Sequence, residues 1–285
     1  YFMARAGTVT ARFGLAYVNQ VDKPEMNDVR LFVDHVRLTP ATPAAALAWM
    51  DNVERQLPPI RFTPDPTRHE QLPQTMRRLR TGGNLRIVML GDGICNDMSN
   101  SLFHLLLGRR YPQAGITLIH SQRDGAGCPI YQRPALFNRY VADHRPDLLV
   151  IAGTSHNYNV VAVRRVIQMA RKKFPEVEVL VFTGAITEPG MSNAVRRRGL
   201  RDVPAKERQE AEKAIAEFYR KLAMMRTKEK FELMHLRPLW ESYVKVSGKS
   251  RHWFMRDPVH ANHYGKQALG RILAKPPASN RVAPH

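Results

Sequence analysis

From Leu85 onward the chain alternates short apolar runs with helical stripes. Runs of strand length stand at Arg86–Leu90, Ile116–His120, Leu148–Ala152 and Val177–Phe182, with a weaker one at Phe231–Leu236. Between them, Val163, Val166, Ile167, Ala170 and Phe174 keep the spacing of one helix face. Ala211, Ala214, Ile215, Phe218, Leu222 and Met225 do the same over a longer helix entered near Pro204, and a last helix is predicted over His263–Ala274. Short strands alternating with helices predict a parallel sheet covered on both faces. In such sheets ligands sit outside the carboxyl ends of the strands.

Upstream the pattern differs. Thr8–Tyr17 and Val29–Val36 are rich in Val, Phe, Leu and Thr, and Asn19–Asn27 between them carries Asp, Pro and Asn. This predicts a small β extension over residues 1–40, which must pack on something because a lone hairpin is marginally stable. Its ending, LFVDHVRLTP, resembles the last strand of jelly-roll carbohydrate-binding modules. Residues 41–84 read as a connector. A short helix is expected over Ala44–Arg55 behind Pro43, then an irregular stretch with Pro58, Pro59, Pro64 and Pro66. A second short helix over Gln71–Leu79 ends at Gly82-Gly83. Residues 85–285 form the main domain.

Composition narrows the partners. The 285 residues carry a formal charge of +19, a field that concentrates anionic partners. The basic residues are dispersed (Arg77, Arg78 and Arg80; Arg164 and Arg165; Arg171, Lys172 and Lys173; Arg196, Arg197 and Arg198) and no nucleic-acid-binding motif accompanies them, so no specific nucleic acid is expected. No apolar run is long enough to span a bilayer, so no membrane insertion is expected, and the opening YFMARAGTVT lacks a signal-peptide pattern. Two cysteines, Cys95 and Cys128, define no disulfide framework and no zinc spacing. They follow adjacent predicted strands, so a bridge is sterically open, with two separately packed thiols the favoured reading.

Two segments carry chemistry. The first strand runs into RIVMLGDGICNDMSNS, a glycine-bracketed turn ahead of a helix. Near the other end, RDPVHANHYGKQALGRILA places Asp257 three residues before His260. At that spacing a carboxylate accepts the imidazole Nδ1–H, fixes the tautomer and leaves Nε2 as a general base.

In this order and in an α/β pattern, the segments resemble the SGNH/GDSL hydrolase family over about 190 of the 285 residues. The family's first block, strand then G-D-S, reads Gly91-Asp92-Gly93 here, and its last block, D-x-x-H before the terminal helix, reads Asp257 and His260. The resemblance implies a three-layer α/β/α fold with a flavodoxin-like, five-stranded parallel sheet of order 2-1-3-4-5. It implies an oxyanion hole from the N–H groups of Gly93 and Gly127 (in SQRDGAGC, with Gly125 the lesser choice). The third donor matches Ser155 without a gap, or Asn157 if the loop is longer. LGDGICNDMSNS and the preceding RFTPDPTRHEQLPQTMRRLRTGG also resemble a bacterial branch of secreted esterases acting on carbohydrates. This implies an acylated polysaccharide or oligosaccharide substrate, anionic ones included, a secreted or periplasmic setting, and no metal or organic cofactor.

Gly93 is the departure. Family members attack an ester carbonyl with the serine hydroxyl at that position, and glycine has none. Three explanations stand: a substitution introduced to trap a bound ester, a natural loss leaving a glycan-binding pseudoenzyme, or direct activation of water by His260; the first two are favoured. Asp92 reads as a brace for the turn, with Asn96 and Asp97 bracing the same loop. Ser99 and Ser101 are expected to cap or face solvent, Cys95 to pack. His156, Trp253 and His263 are candidates for the substrate pocket, with Phe254 beside Trp253.

Overall fold

In the computed structural model, residues 42–60, 68–182, 204–257 and 259–275 are described, so the β extension expected over residues 1–40 lies outside them. The strands are β1 (Gly83–Gly91), β2 (Ala114–Gln122), β3 (Leu148–Ala152), β4 (Glu178–Phe182) and β5 (Glu232–Met234). All neighbouring pairs are parallel and the order is β2-β1-β3-β4-β5. This is the expected sheet. β1 and β2 begin earlier than their apolar runs because polar residues at their starts still pair, Gly83 with Ala114 and Asn84 with Gly115.

The described helices are α1 (Pro43–Glu54), α2 (Pro73–Thr81), α3 (Gly93–Ser99), α4 (Phe103–Arg110), α5 (Cys128–Tyr131), α6 (Pro134–Tyr140), α7 (Val160–Lys173), α8 (Ala205–Glu229), α9 (Leu236–Ser247) and α10 (His263–Ala274). Strand side chains alternate between two cores, as a period of two requires. Ile87, Met89, Val150 and Phe182 join one core, with Met76 of α2, Trp240 of α9 and Leu269 of α10. Val88, Leu90, Ile151 and Val181 join the other, with Tyr131 of α5, Phe137 of α6, Val166 of α7 and Leu222 of α8. These cores cover the sheet on both faces. β3 and β4 are buried along their whole length, which is why they read as apolar runs, broken only by Glu178, whose carboxylate accepts from Gln74 N and Thr75 N at the start of α2.

α10 positions the histidine loop before it, and it is held at both ends. Asn262 caps its start, its Oδ1 accepting from Gly265 N at 3.1 Å. At its end the buried Arg68 guanidinium donates to the carbonyls of Ile272 at 2.9 Å and Leu273 at 3.3 Å, groups left without partners inside the helix. Its flank is tied to α1 through Arg271, which pairs with Glu54 and Asp51. Gln267 Nε2 donates to Ser101 O at 3.2 Å, tying the helix to the turn between α3 and α4.

Candidate active site

At the carboxyl end of β1, Asp92 caps α3, its Oδ1 accepting from Ile94 N at 3.0 Å and Cys95 N at 3.4 Å. Its other oxygen accepts from Thr154 N at 2.9 Å, Ser155 N at 2.7 Å and Ser155 Oγ at 2.6 Å. One buried carboxylate thus joins the β1–α3 turn to the loop after β3. Gly153 makes the approach possible. Its φ is +109°, and a Cβ there would stand 2.2 Å from Asp92 Oδ1. Tyr131 of α5 closes the third side, its hydroxyl donating to Gly91 O at 2.7 Å.

The second segment arrives from the far end of the sheet. His260 Nδ1 lies 3.0 and 2.9 Å from Asp257 Oδ1 and Oδ2. Asp257 Oδ1 also accepts from Val259 N and His260 N, both at 2.8 Å. Burial pushes the Asp257 carboxyl up, but hydrogen bonds from the His260 ring and these amides outweigh it and hold it well below the usual carboxylate range. An anionic partner at Nδ1 makes that nitrogen the protonated one in the neutral ring, leaving the Nε2 lone pair as acceptor.

Nε2 faces Gly93. A Cβ built on Gly93 would lie 2.7 Å from His260 Nε2 and 3.3 Å from Asp124 Oδ1. The imidazole therefore stands inside the space a serine side chain needs, and a serine there requires the ring to swing aside. The space is narrower than a gap sized for a hydroxyl. Asp124, in the loop after β2, brings a carboxylate oxygen to the same position.

Asp97, one turn into α3, does not brace its own loop as expected. It is fully buried, and its Oδ2 accepts from Ala261 N at 2.9 Å, while Lys266 approaches its Oδ1 to 3.3 Å and Arg256 to 3.9 Å. It holds the His260 loop against α3. Burial raises its pKa, opposed by Lys266, Arg256 and His260. Asn96 stays local, its Oδ1 accepting from Asn100 Nδ2 at 3.0 Å.

The remaining candidates separate. Gly127 packs against the loop after β3 so closely that a Cβ would come within 2.0 Å of Ser155 O, so only glycine fits. Ser155 leaves the set of outward donors, because its hydroxyl proton and its N–H are both spent on Asp92. Asn157 is exposed with φ of 50° in the turn beyond. His156 is buried, its Nδ1 accepting from Cys128 N at 3.1 Å; it braces two loops instead of facing the opening. Trp253 stacks on Tyr264 with ring centroids 4.2 Å apart, so one of its faces is taken, and its neighbour Phe254 is core. His263 is exposed at the start of α10, beside Tyr264.

Ser99 and Ser101 neither cap nor face solvent. Both are fully buried and donate back into their own turn, to Cys95 O and Met98 O. Cys95 and Cys128 are free and buried, and they belong to cores on opposite faces of the sheet. That separation, invisible when loops are placed only by strand adjacency, removes the bridge. Among the described residues no group of three or more His, Cys, Asp or Glu is placed to hold a metal ion, and no helix is long and apolar enough to cross a membrane.

Neither a family model nor a curated protein matches the chain. Solved structures do. A two-domain esterase active on acetylated mannans, crystallised with mannopentaose, superposes with a TM-score of 0.51 at 13% identity, over 75% of this chain and 57% of its own. A candidate GDSL-like lipase from Parabacteroides merdae gives 0.45 at 12% identity, over 75% and 96%. A family 3 carbohydrate esterase from Clostridium thermocellum gives 0.44 at 14%, over 67% and 94%. This chain thus spans little more than half of the mannan esterase. The shared architecture is the three-layer fold of SGNH hydrolases.

Proposed function

With the SGNH hydrolase fold as premise, we propose that the chain is a carbohydrate esterase scaffold, an O-deacetylase of acylated glycans, whose covalent route is disabled by Gly93. The observation that carries this reading is the Asp257–His260 pair with Nε2 directed at Gly93. In this reading the carbonyl carbon of a bound ester sits beside Gly93. Its oxygen, negative in the tetrahedral state, accepts from the N–H groups of Gly93 and Gly127, with Asn157 as the third donor. His260 is the base, and Asp257 holds its tautomer and stabilises its charged form. Without a hydroxyl no acyl-enzyme forms, and loss of a triad member costs roughly 10⁶-fold in turnover. A glycan substrate supports an extracytoplasmic setting for the protein.

The test is turnover of an acetylated xylo- or manno-oligosaccharide by the chain and by Gly93→Ser. The reading expects Gly93→Ser to exceed the chain by roughly 10³-fold or more, after His260 withdraws to admit the side chain. No hydrolysis by either protein contradicts it.

The charge of +19 favours a second reading, a pseudoenzyme that holds an anionic polysaccharide without turnover. Its affinity for a polyuronate falls steeply between low and physiological salt. A neutral acetylated glycan that binds better, with a flat salt response, rejects it.

A further inference from the structure

Ring side chains gather along the carboxyl edge of the sheet, beyond the Gly93 turn. Tyr158, in the loop after β3, is 37% exposed, and its ring meets Phe218 of α8 edge-on with centroids 5.9 Å apart. Tyr219, the next residue of α8, meets His235 edge-on at 4.5 Å, and His235 stands exposed directly after β5. Both positions follow carboxyl ends of strands, as Gly93 follows β1. With β3 and β4 between them, the ends of β1 and β5 are three strand spacings apart, about 15 Å. That span suits an oligosaccharide more than a single sugar. Asn157 and Tyr158 also hold left-handed backbone, φ 50° and 55°, where bulky side chains rarely sit. The fold keeps this ring at the edge against its local preference, and such strain gathers where ligands are clamped.

The neighbouring charges narrow the ligand. Arg237 of α9 donates to Glu212 of α8 through both terminal nitrogens, at 3.1 and 2.9 Å, and to Glu241 through Nε at 2.9 Å. Arg251 approaches Glu241 to 3.7 Å. Two guanidinium groups thus face two carboxylates, so this cluster of described residues has no surplus positive charge for an anionic sugar. Burial raises the pKa of the Tyr158 phenol, with Glu212 adding to the rise and Arg237 opposing it, so the ion pairs border the ring. A ring beside such groups matches a neutral pyranose. The sugar's C–H groups carry slight positive charge and pack on the negative face of an aromatic ring, while its hydroxyls donate to carboxylates. We propose that Tyr158, with Tyr219 and His235 beyond it, forms a subsite for a neutral sugar ring of the glycan whose acyl group lies at Gly93. This rests on the esterase reading and gives its substrate a class: a neutral chain held at two points, its ester at Gly93 and a sugar ring at Tyr158.

Unacetylated mannopentaose and xylopentaose, titrated into the chain by calorimetry, test the subsite apart from the chemistry. Tyr158→Ala weakens binding of the tighter pentaose about tenfold or more, as loss of a stacking ring does. Tyr158→Phe keeps the ring and stays within about threefold. Tyr158→Leu keeps an apolar contact for Phe218 but offers no flat face. It loses as much as Tyr158→Ala, with a thermal melt near the parent's. In the Gly93→Ser background, Tyr158→Ala lowers kcat/KM for the acetylated pentaose through KM. That loss is about tenfold greater than its effect on 4-nitrophenyl acetate, which carries no sugar ring. Binding of neither pentaose overturns the proposal, as does Tyr158→Leu at parental affinity or an equal loss on both esters. A polyuronate bound more tightly than the pentaoses, and released by Tyr158→Ala, overturns the neutral class. Pentaose binding that depends on Tyr158 beside an inert Gly93→Ser upholds the subsite and sinks the esterase reading. Turnover by Gly93→Ser that ignores Tyr158 does the reverse.

Discussion

Asp92 and Gly93 are neighbours in one turn and could hardly be more differently equipped. Asp92 is saturated: both oxygens accept, and the turn, α3 and the loop after β3 all hang from it. Gly93 has no side chain at all, yet the histidine, its carboxylate partner and Asp124 still converge on it. Scaffold and chemistry have been kept on separate terms. The bracing side ties three segments through buried and half-buried hydrogen bonds, whereas the reacting side keeps its base over Gly93 and lacks a side-chain nucleophile.

The sharpest way to break this contrast is to remove the brace. Asp92→Ala strands buried N–H groups and is expected to cost about 3–5 kcal/mol, read from the denaturant midpoint. A cost near that of an ordinary surface change refutes its role as hub. Gly153→Ala comes next, at about 1–3 kcal/mol or more, because the added carbon meets Asp92 and the backbone lies where side chains are strained. Stability equal to the parent would show that the close approach is not required.

Asp97→Asn probes the link between the sides. The amide oxygen still accepts from Ala261 N, but its NH2 turns a donor toward Lys266 and Arg256 where Oδ1 accepted, so about 1–2 kcal/mol of stability is expected to go. In the Gly93→Ser background, kcat falls with KM unchanged as the His260 loop loosens. A lower melting temperature with unchanged kcat confines Asp97 to structure.

Acid acts more gently and away from the site. Burial lowers the pKa of His69 to about 4, helped by Arg68 and Arg80, and that of His104 to about 4, helped by His120. Both are neutral when folded and bind protons more readily when unfolded, so stability is full above their ordinary value of 6.5 and declines as pH falls from there toward 4. His104→Gln should flatten that slope in a melting series, and an unchanged slope removes His104 from it. The smallest effect is the thiols: two per chain titrate in denaturant without reductant, whereas a value of none contradicts the separation of Cys95 and Cys128.

Much of this was legible in the chain. β3 and α10 have the bounds their patterns predicted, because a buried parallel strand and an amphipathic terminal helix leave strong local signals. The Asp257–His260 pairing was readable because it is local, three residues apart. What escaped is what depends on distance along the chain. Asp124 lies within SQRDGAGC, yet nothing in that segment tells that its carboxylate reaches the space above Gly93. Asp97 looked like a local brace because its partner, Ala261, lies on the other side of the sequence. Ser155 and Asn157 stayed open as alternatives because the third donor depends on loop length, and the hydrogen bonds to Asp92 decided against Ser155.

The central claim is that the machinery aimed at residue 93 is intact and lacks only its side-chain nucleophile. An activated fluorophosphonate, followed by intact mass and peptide mapping, tests it most directly. The account predicts no covalent adduct on the chain, and on Gly93→Ser a single adduct at residue 93 that His260→Ala abolishes. A label on the unaltered chain, or none on Gly93→Ser, would contradict it.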